Sequence, residues 1–275
     1  MDEARHTLIR MTIAKPASPA GIIAALKADP AFAALRRSLE VYYGDEARDA
    51  AMDALYGRFV KPGDLAFDIG AHVGDRTGSF RRLGARVVAL EPQADCGRVI
   101  KAIYGDDESV AFIETGCGAQ AGRVTLHVNS ANPTVTTASR AFIAAATGAL
   151  GWEGQEWDRT LEVPVTTLDA LIAAHGKPAF LKIDVEGHEA AVLEGLSCPV
   201  PALSFEFTTI QRGIAYDCLD RLEALGSYRF NIVLGESQRM TFADEISAAA
   251  MAAHLDALPH GANSGDVYAV LAAGE

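Results

Sequence analysis

The chain has 275 residues, of which 49% belong to the hydrophobic set and 22% are charged; that balance excludes wholesale disorder and suits one large α/β domain with a modest extension. Asp and Glu outnumber Lys and Arg by 36 to 24, a formal charge of −12, which argues against nucleic acid or a membrane surface as partner because both need a basic field. Cys96, Cys117, Cys198 and Cys218 show neither zinc spacing nor a disulfide framework. No apolar run approaches the ~20 residues of a membrane helix, and Met1-Asp2-Glu3-Ala4-Arg5-His6 lacks the order of a secretory signal, so a soluble cytoplasmic protein is expected.

Residues 1–60 carry helical periodicity and are expected to form an N-terminal helical extension. Ser18-Pro19 has the form of a cap and first-turn proline, followed by Ile22, Ile23 and Leu26 on one face. Phe32, Leu35 and Leu39 follow the Asp29-Pro30 break, and Met52, Leu55, Tyr56 and Phe59 run up to the stop at Lys61-Pro62-Gly63-Asp64. This front reads as a scaffold for the domain behind it, or else Tyr42 and Tyr43 reach over an active site as part of a lid.

Residues 61–275 form the expected catalytic domain. Short apolar runs at 65–69, 86–90, 110–113, 179–183, 202–205, 230–234 and 267–271 alternate with helical stretches such as Val192, Leu193 and Leu196, or Leu219, Leu222 and Leu225. Strands buried on both faces and joined by helices imply a doubly wound α/β fold with a seven-stranded, mostly parallel sheet. One interval departs from the pattern. Val124, Leu126 and Val128 alternate with polar residues, as do Leu161, Val163 and Val165, and the polar stretch 129–139 between them suits a substrate lid. Thr166-Thr167-Leu168-Asp169 has capping-box spacing for the next helix.

The glycine loop Phe67-Asp68-Ile69-Gly70-Ala71-His72-Val73-Gly74-Asp75 ends the first run. It reads G-x-x-x-G where a dinucleotide fingerprint would read G-x-G-x-x-G. A carboxylate at the loop mouth repels a diphosphate and attracts an ammonium or sulfonium group. Glu91, 23 residues beyond Asp68, ends the second run, where an acid accepts both hydroxyls of a ribose. A cofactor with a ribose, a cationic amino-acid end and no phosphate is S-adenosylmethionine.

A second cluster, Leu181-Lys182-Ile183-Asp184-Val185-Glu186-Gly187-His188-Glu189, ends the fourth run, expected beside the first. Its acids and imidazole suit positioning of the methionine end, proton abstraction, or a metal; a metal needs further oxygen ligands from elsewhere, and none is assigned. Glu206, near the end of the fifth run, joins the same rim. Asp184, His188 and Glu206 are the candidate catalytic residues.

Taken together, the 67–75 loop, Val88-Ala89-Leu90-Glu91-Pro92, Thr167-Leu168-Asp169, and 181–189 followed by Val192-Leu193-Glu194-Gly195-Leu196 resemble the FkbM family of S-adenosylmethionine-dependent methyltransferases over residues 40–235. The resemblance implies the Rossmann-like class I methyltransferase fold and O-methylation of a hydroxyl on a small molecule or sugar. It implies that Asp68, Gly70 and Gly74, with Ala71 and His72 between the glycines, hold the methionine part with Asp184, that Glu91 holds the ribose, and that Thr115, Gly116 and Cys117 form the adenine edge. Cys117 is then a wall residue, not a nucleophile. The alternatives are a non-catalytic S-adenosylmethionine-binding partner protein and an NAD-dependent oxidoreductase, the latter disfavoured by Asp68 and the missing glycine. The Ala-rich front and a helix over 248–258 would suit packing between subunits of a homo-oligomer.

Overall fold

The computed structural model describes residues 19–272; Ser18, expected as a helix cap, and the segment read for a secretory signal lie outside them. Helix α1 (Pro19–Ala28) opens on its proline, and Asp29 ends it by accepting the Ala31 amide, starting a 3₁₀ turn (Pro30–Leu35) that leads into α2 (Arg36–Tyr42). Asp45 caps α3 (Glu46–Tyr56) by accepting the Ala47 and Arg48 amides. The apolar spacing of this front decides what it buries. Leu26, Leu35 and Leu39 cluster with Val73, Cys96 and Val99, whereas Met52, Leu55 and Tyr56 pack with Phe80 and Phe180 on the main sheet. Each such side chain contributes roughly 1.5–3 kcal/mol.

Next come β1 (Leu65–Ile69), α4 (Asp75–Arg82), β2 (Arg86–Leu90), α5 (Ala94–Tyr104) and β3 (Val110–Ile113). The interval that departs from the pattern holds β4 (Gly116–Cys117), β5 (Gly122–Val128), α6 (Arg140–Ala146) and β6 (Arg159–Thr166). The chain then alternates again through α7 (Leu168–His175), β7 (Phe180–Ile183), α8 (Glu189–Glu194), β8 (Ala202–Thr208), α9 (Arg212–Leu225), β9 (Tyr228–Leu234), α10 (Ala248–Ala257) and β10 (Ser264–Leu271). Among the described residues no helix is long and apolar enough to cross a membrane.

The main sheet has seven strands in the order β3-β2-β1-β7-β8-β10-β9, parallel except where β10 runs antiparallel to both neighbours. From β1 the chain moves outward through β2 and β3, then returns to β7 on the other side of β1. Strand order reverses there, and loops leaving β1 and β7 part to form a crevice. Phe67 and Ile69 face the core shared with α7 to α10, and Ala66 faces the core shared with α3 and α4. That second face also carries a polar row: the register aligns Asp68 with Lys182, Ser204, Tyr268 and Asn231.

The interval 116–166 forms a separate three-stranded sheet, β4-β6-β5. The 129–139 stretch is pinned to it by a bridge between His127 and Thr137, and Phe142, Trp152 and Trp157 build a small aromatic core beside it. The expected capping box is replaced by a simpler cap. Thr167, one residue later than the box spacing implies, accepts the Ala170 amide, while Asp169 turns away to accept the Ser197 amide.

Candidate functional site

The C-terminal ends of β1, β2 and β7 and the 129–139 stretch surround a cleft with ≈ 950 Å³ of atom-free space, part of it open to solvent.

One wall is the turn after β1. The amides of Gly70 and Ala71 both donate to the Leu90 carbonyl, at 3.0 and 2.8 Å, which ties the turn to β2. Gly70 has φ +82°, and a Cβ there would lie 1.7 Å from the Asp184 carbonyl oxygen, so glycine is what lets the two strand ends approach. His72 follows in left-handed backbone, φ +48°. Its amide donates to Glu91 Oε2 at 3.0 Å and its Nε2 lies 2.8 Å from Ser38 Oγ of α2. Burial pushes the imidazole down to about 4, so it is neutral at physiological pH. Tyr42, also on the cleft, sets its ring edge-on to His72, and Tyr43 donates to the Val73 carbonyl at 2.7 Å. The front thus braces the turn with Tyr43 and supplies cleft wall with Tyr42.

Glu91 lies at the end of β2, buried but on the cleft. Besides His72 it accepts the Gln93 amide at 2.8 Å, so each carboxylate oxygen takes one backbone donor and keeps acceptor capacity for a second. Burial pushes its pKa up to about 7 against those two amides. Beyond it, Thr115, Gly116 and Cys117 line a slot with Leu90, Val124 and Leu126. Burial pushes the Cys117 thiol up to about 12, leaving it protonated and a poor nucleophile.

Two residues expected on the cofactor stand elsewhere. Asp68 is fully buried and does not line the cleft. The pleat sends it beneath α4, where Oδ2 accepts Thr77 Oγ1 at 2.6 Å and Oδ1 has no hydrogen-bond partner among the described residues. Gly74 caps α4 at φ +85° and backs onto Tyr104 rather than the cleft. Both underpin the turn whose Gly70, Ala71 and His72 face inward.

The opposite wall is acidic. Asp184 follows β7, with Oδ2 2.6 Å from the buried Lys182 Nζ. Oxygens of Asp184, Glu186 and Glu206 lie within 4.8 Å of one another; Asp184 and Glu186 line the cleft, whereas Glu206, expected on the same rim, stands behind them because it sits within β8 rather than in the turn after it. Burial, reinforced by the neighbouring carboxylates, holds Glu206 and Glu186 well above the usual carboxylate range. Glu189 holds the intervening turn by accepting the Val185 and Gly187 amides. His188 lines the cleft outside this trio: its Nε2 is 3.7 Å from where a Cβ of Gly118 would stand, and burial lowers its pKa.

Sequence reasoning passed over Asp75, Arg76 and Glu236, which also line the cleft. Arg76 bonds Asp75 at 2.6 Å and Glu236 at 2.8 Å, and Arg48 bonds both acids. Glu236 follows β9 by two residues, the same signal of an acid after an apolar run that marked Asp184. The two Lys or Arg side chains on the cleft, Arg76 and Lys182, are therefore both ion-paired. A phosphate would find no uncommitted cation among the described lining residues, while the ribose acceptor, apolar slot and carboxylate of the expected phosphate-free cofactor are all present.

The family model described as the methyltransferase FkbM domain matches residues 68–247. A comparison with curated protein sequences finds no match. Among solved structures, the chain is similar to a precorrin-6y C5,15-methyltransferase from Geobacter metallireducens, at 12% identity over 82% of this chain and 87% of that one, with a TM-score of 0.40. It is also similar to an S-adenosylmethionine-dependent O-methyltransferase from Thermotoga maritima, at 10% identity over 88% of this chain and 72% of that one, with a TM-score of 0.42. An rRNA methylase from Streptococcus thermophilus is similar at 10% identity over 80% of this chain and 94% of that one, with a TM-score of 0.40.

Proposed function

The chain belongs to the FkbM methyltransferase family and is an S-adenosylmethionine-dependent methyltransferase; from that premise we propose that it methylates a hydroxyl of a small molecule or sugar. The observation that carries this reading is the acidic wall, where Asp184, Glu186 and Glu206 converge beside the cleft. A hydroxyl, unlike a thioether or a neutral amine, must lose a proton to become a good nucleophile, and a positioned base contributes about 10²–10⁴-fold. The cofactor supplies a methyl group on a sulfonium, an electrophile that needs no further activation.

The residues fit that cofactor. Glu91 would accept from the ribose hydroxyls, Gly70, Ala71 and His72 would lie along the methionine part with Asp184, and Thr115, Gly116 and Cys117 would flank the adenine. Asp68 and Gly74 act through the turn. Three groups are candidates to take the acceptor's proton. Asp184 has one carboxylate oxygen engaged by Lys182 Nζ at 2.6 Å. Glu206 has the raised proton affinity, and His188 is a free imidazole because burial disfavours its cation. Thr134, Thr136 and Ala138 of the 129–139 stretch line the cleft.

The test is incubation with S-adenosylmethionine and a panel of polyhydroxylated and amine acceptors, reading S-adenosylhomocysteine and locating the new methyl by NMR. An O-methyl product is expected; an N- or C-methyl product would overturn the reading. Among the candidate bases, the residue responsible is the one whose replacement (His188→Ala or Glu206→Gln) lowers kcat while cofactor affinity stays within a few-fold.

Glu91 provides a separate check. Hydrogen bonds to an ionised group contribute about 1.5–3 kcal/mol, so Glu91→Gln should weaken S-adenosylmethionine binding about 10- to 100-fold in calorimetry. The raised pKa means that Glu91 takes up a proton as pH falls through about 7. Ribose hydroxyls donate to the ionised form, so wild-type affinity should fall below that pH, binding near pH 7 should release a proton, and Glu91→Gln should show neither effect. The sign for folding is opposite: a raised carboxyl contributes stability that is present at low pH and lost as pH climbs through about 7.

A further inference from the structure

The sheet register gathers more negative charge at one end than the protein's own cations balance. Lys182 pairs with Ser204, and Glu206 pairs with Asp266, so Asp184, Glu206 and Asp266 stand in one row across β7, β8 and β10, on one face. Glu186 reaches the same place from the turn after β7, where its own backbone is left-handed at φ +56°. One oxygen from each of Asp184, Glu186 and Glu206 lies within 4.8 Å of the other two.

Little in the fold answers that charge. Lys182 is committed to Asp184, and Arg76 to Asp75 and Glu236. Glu186 is only 9% exposed, and the hydrogen bond it receives from Thr137 goes to its backbone carbonyl, not its carboxylate. Asp266 stands outside the trio and adds an independent sign. It is also 9% exposed, faces Glu206 across the strand pair, and leaves Oδ1 with no hydrogen-bond partner among the described residues. A buried carboxylate oxygen left this way, as Asp266 Oδ1 is, is costly unless a cation or a proton joins it.

The spacing and chemistry favour a cation. Oxygens on one ion sit about 2.1 Å from Mg²⁺ or about 2.3–2.6 Å from Ca²⁺, so two ligands of one ion stand no more than about twice that distance apart. An all-oxygen, anionic donor set selects hard divalent ions.

We propose that Asp184, Glu186 and Glu206 form a site for a hard divalent cation, with Asp266 facing it; spacing within 4.8 Å admits Ca²⁺ as it stands, and Mg²⁺ or Mn²⁺ once the oxygens draw together to about 4.2 Å. Asp184 and Glu186 line the cleft, so the ion's remaining positions would be offered to the acceptor. That use rests on the hydroxyl-methylating reading: an acceptor oxygen on the ion would be oriented and made more acidic. His188, outside the trio, would remain on the cleft.

Binding can be read without turnover. The full chain is treated with chelator, exchanged into chelator-free buffer, and titrated with Mn²⁺ while electron paramagnetic resonance reports free ion. One site per chain with a dissociation constant below about 1 mM is expected, with Mg²⁺ competing. Glu186→Gln and Glu206→Gln keep side-chain shape and remove buried charge, so both should fold by circular dichroism and weaken Mn²⁺ binding tenfold or more. Absence of binding up to several millimolar, or unchanged binding in both variants, would overturn the site. Such a failure leaves the hydroxyl reading standing, whereas ion binding together with an N-methyl product would remove that reading alone.

Discussion

Gly70→Ala is expected to cost about 3 kcal/mol or more of stability and to abolish measurable S-adenosylmethionine binding. Two effects combine at this position. The backbone sits at φ +82°, which penalises any residue with a Cβ by about 1–3 kcal/mol. The added carbon would also lie 1.7 Å from the Asp184 carbonyl oxygen. That obstacle is backbone, so relief requires β1 and β7 to part at the point where the cleft is built, a distortion of the overpacking kind that costs another 1–3 kcal/mol, roughly. Two other glycines separate the contributions. Gly63 has φ +87° with nothing within 4 Å of its absent Cβ, so Gly63→Ala should show backbone strain alone. At Gly74 the obstacle is a Tyr104 ring carbon at 2.9 Å, which can move, so Gly74→Ala should fall between. Urea unfolding of the three variants gives the order Gly63, Gly74, Gly70; equal losses at Gly63 and Gly70 would show that close approach of the strands is not what selects glycine.

Lys182→Met should destabilise the protein by about 1–3 kcal/mol, less than the ~3–5 kcal/mol of a fully buried ion pair, because Lys182 is buried but the Asp184 side chain is 31% exposed. Lys182 is 1% exposed, and its Nζ stands 2.6 Å from Asp184 Oδ2. Its charge also acts on Asp68 and Asp266, lowering the proton affinity that burial raises in both. Methionine fills a similar volume without charge, so packing is nearly conserved and the loss reports electrostatics. Adding Asp184→Asn to Lys182→Met should recover part of the loss, giving a coupling energy above about 1 kcal/mol in a double-mutant cycle. Measured by urea unfolding in the presence of chelator, additive single effects would mean that the two groups do not interact. Lys182 is thus more than a local charge partner: it is the one cation of the polar row formed by Asp68, Lys182, Ser204, Tyr268 and Asn231.

Much of this architecture was legible from local pattern. A short apolar run bounded by turn signals reads as a buried strand, and β1, β2 and β3 begin and end where the runs do, β1 and β2 largely buried and β3 only half-buried at the sheet edge. A charged residue directly after such a run marks the C-terminal end of a parallel strand, and that rule found Glu91 and Asp184 on the cleft. It overreached at Asp68, which lies inside its run; there the pleat alternates sides, and the carboxylate falls beneath α4, where Thr77 meets it. The rule was not carried to Glu236, although the same signal follows β9. The front was half legible. Its apolar spacing announced helices, but nothing local said that Tyr42 would meet His72 or that Ser38 would hold its imidazole.

The acidic excess with which the sequence opens therefore has two origins. By itself the sequence determined the α/β class, the strand runs, the glycine turn and the placement of Glu91 and Asp184, because each depends on residues close in the chain and on the burial of apolar side chains. Only the tertiary structure decided that Glu206 would stand opposite Asp266 and in line with Asp184, since that requires β10 to insert antiparallel between β8 and β9 in one register. Pairing across dozens of residues is set by the fit of whole faces rather than by any local preference. A one-residue slip of β10 would turn Asp266 to the other face and dissolve the row.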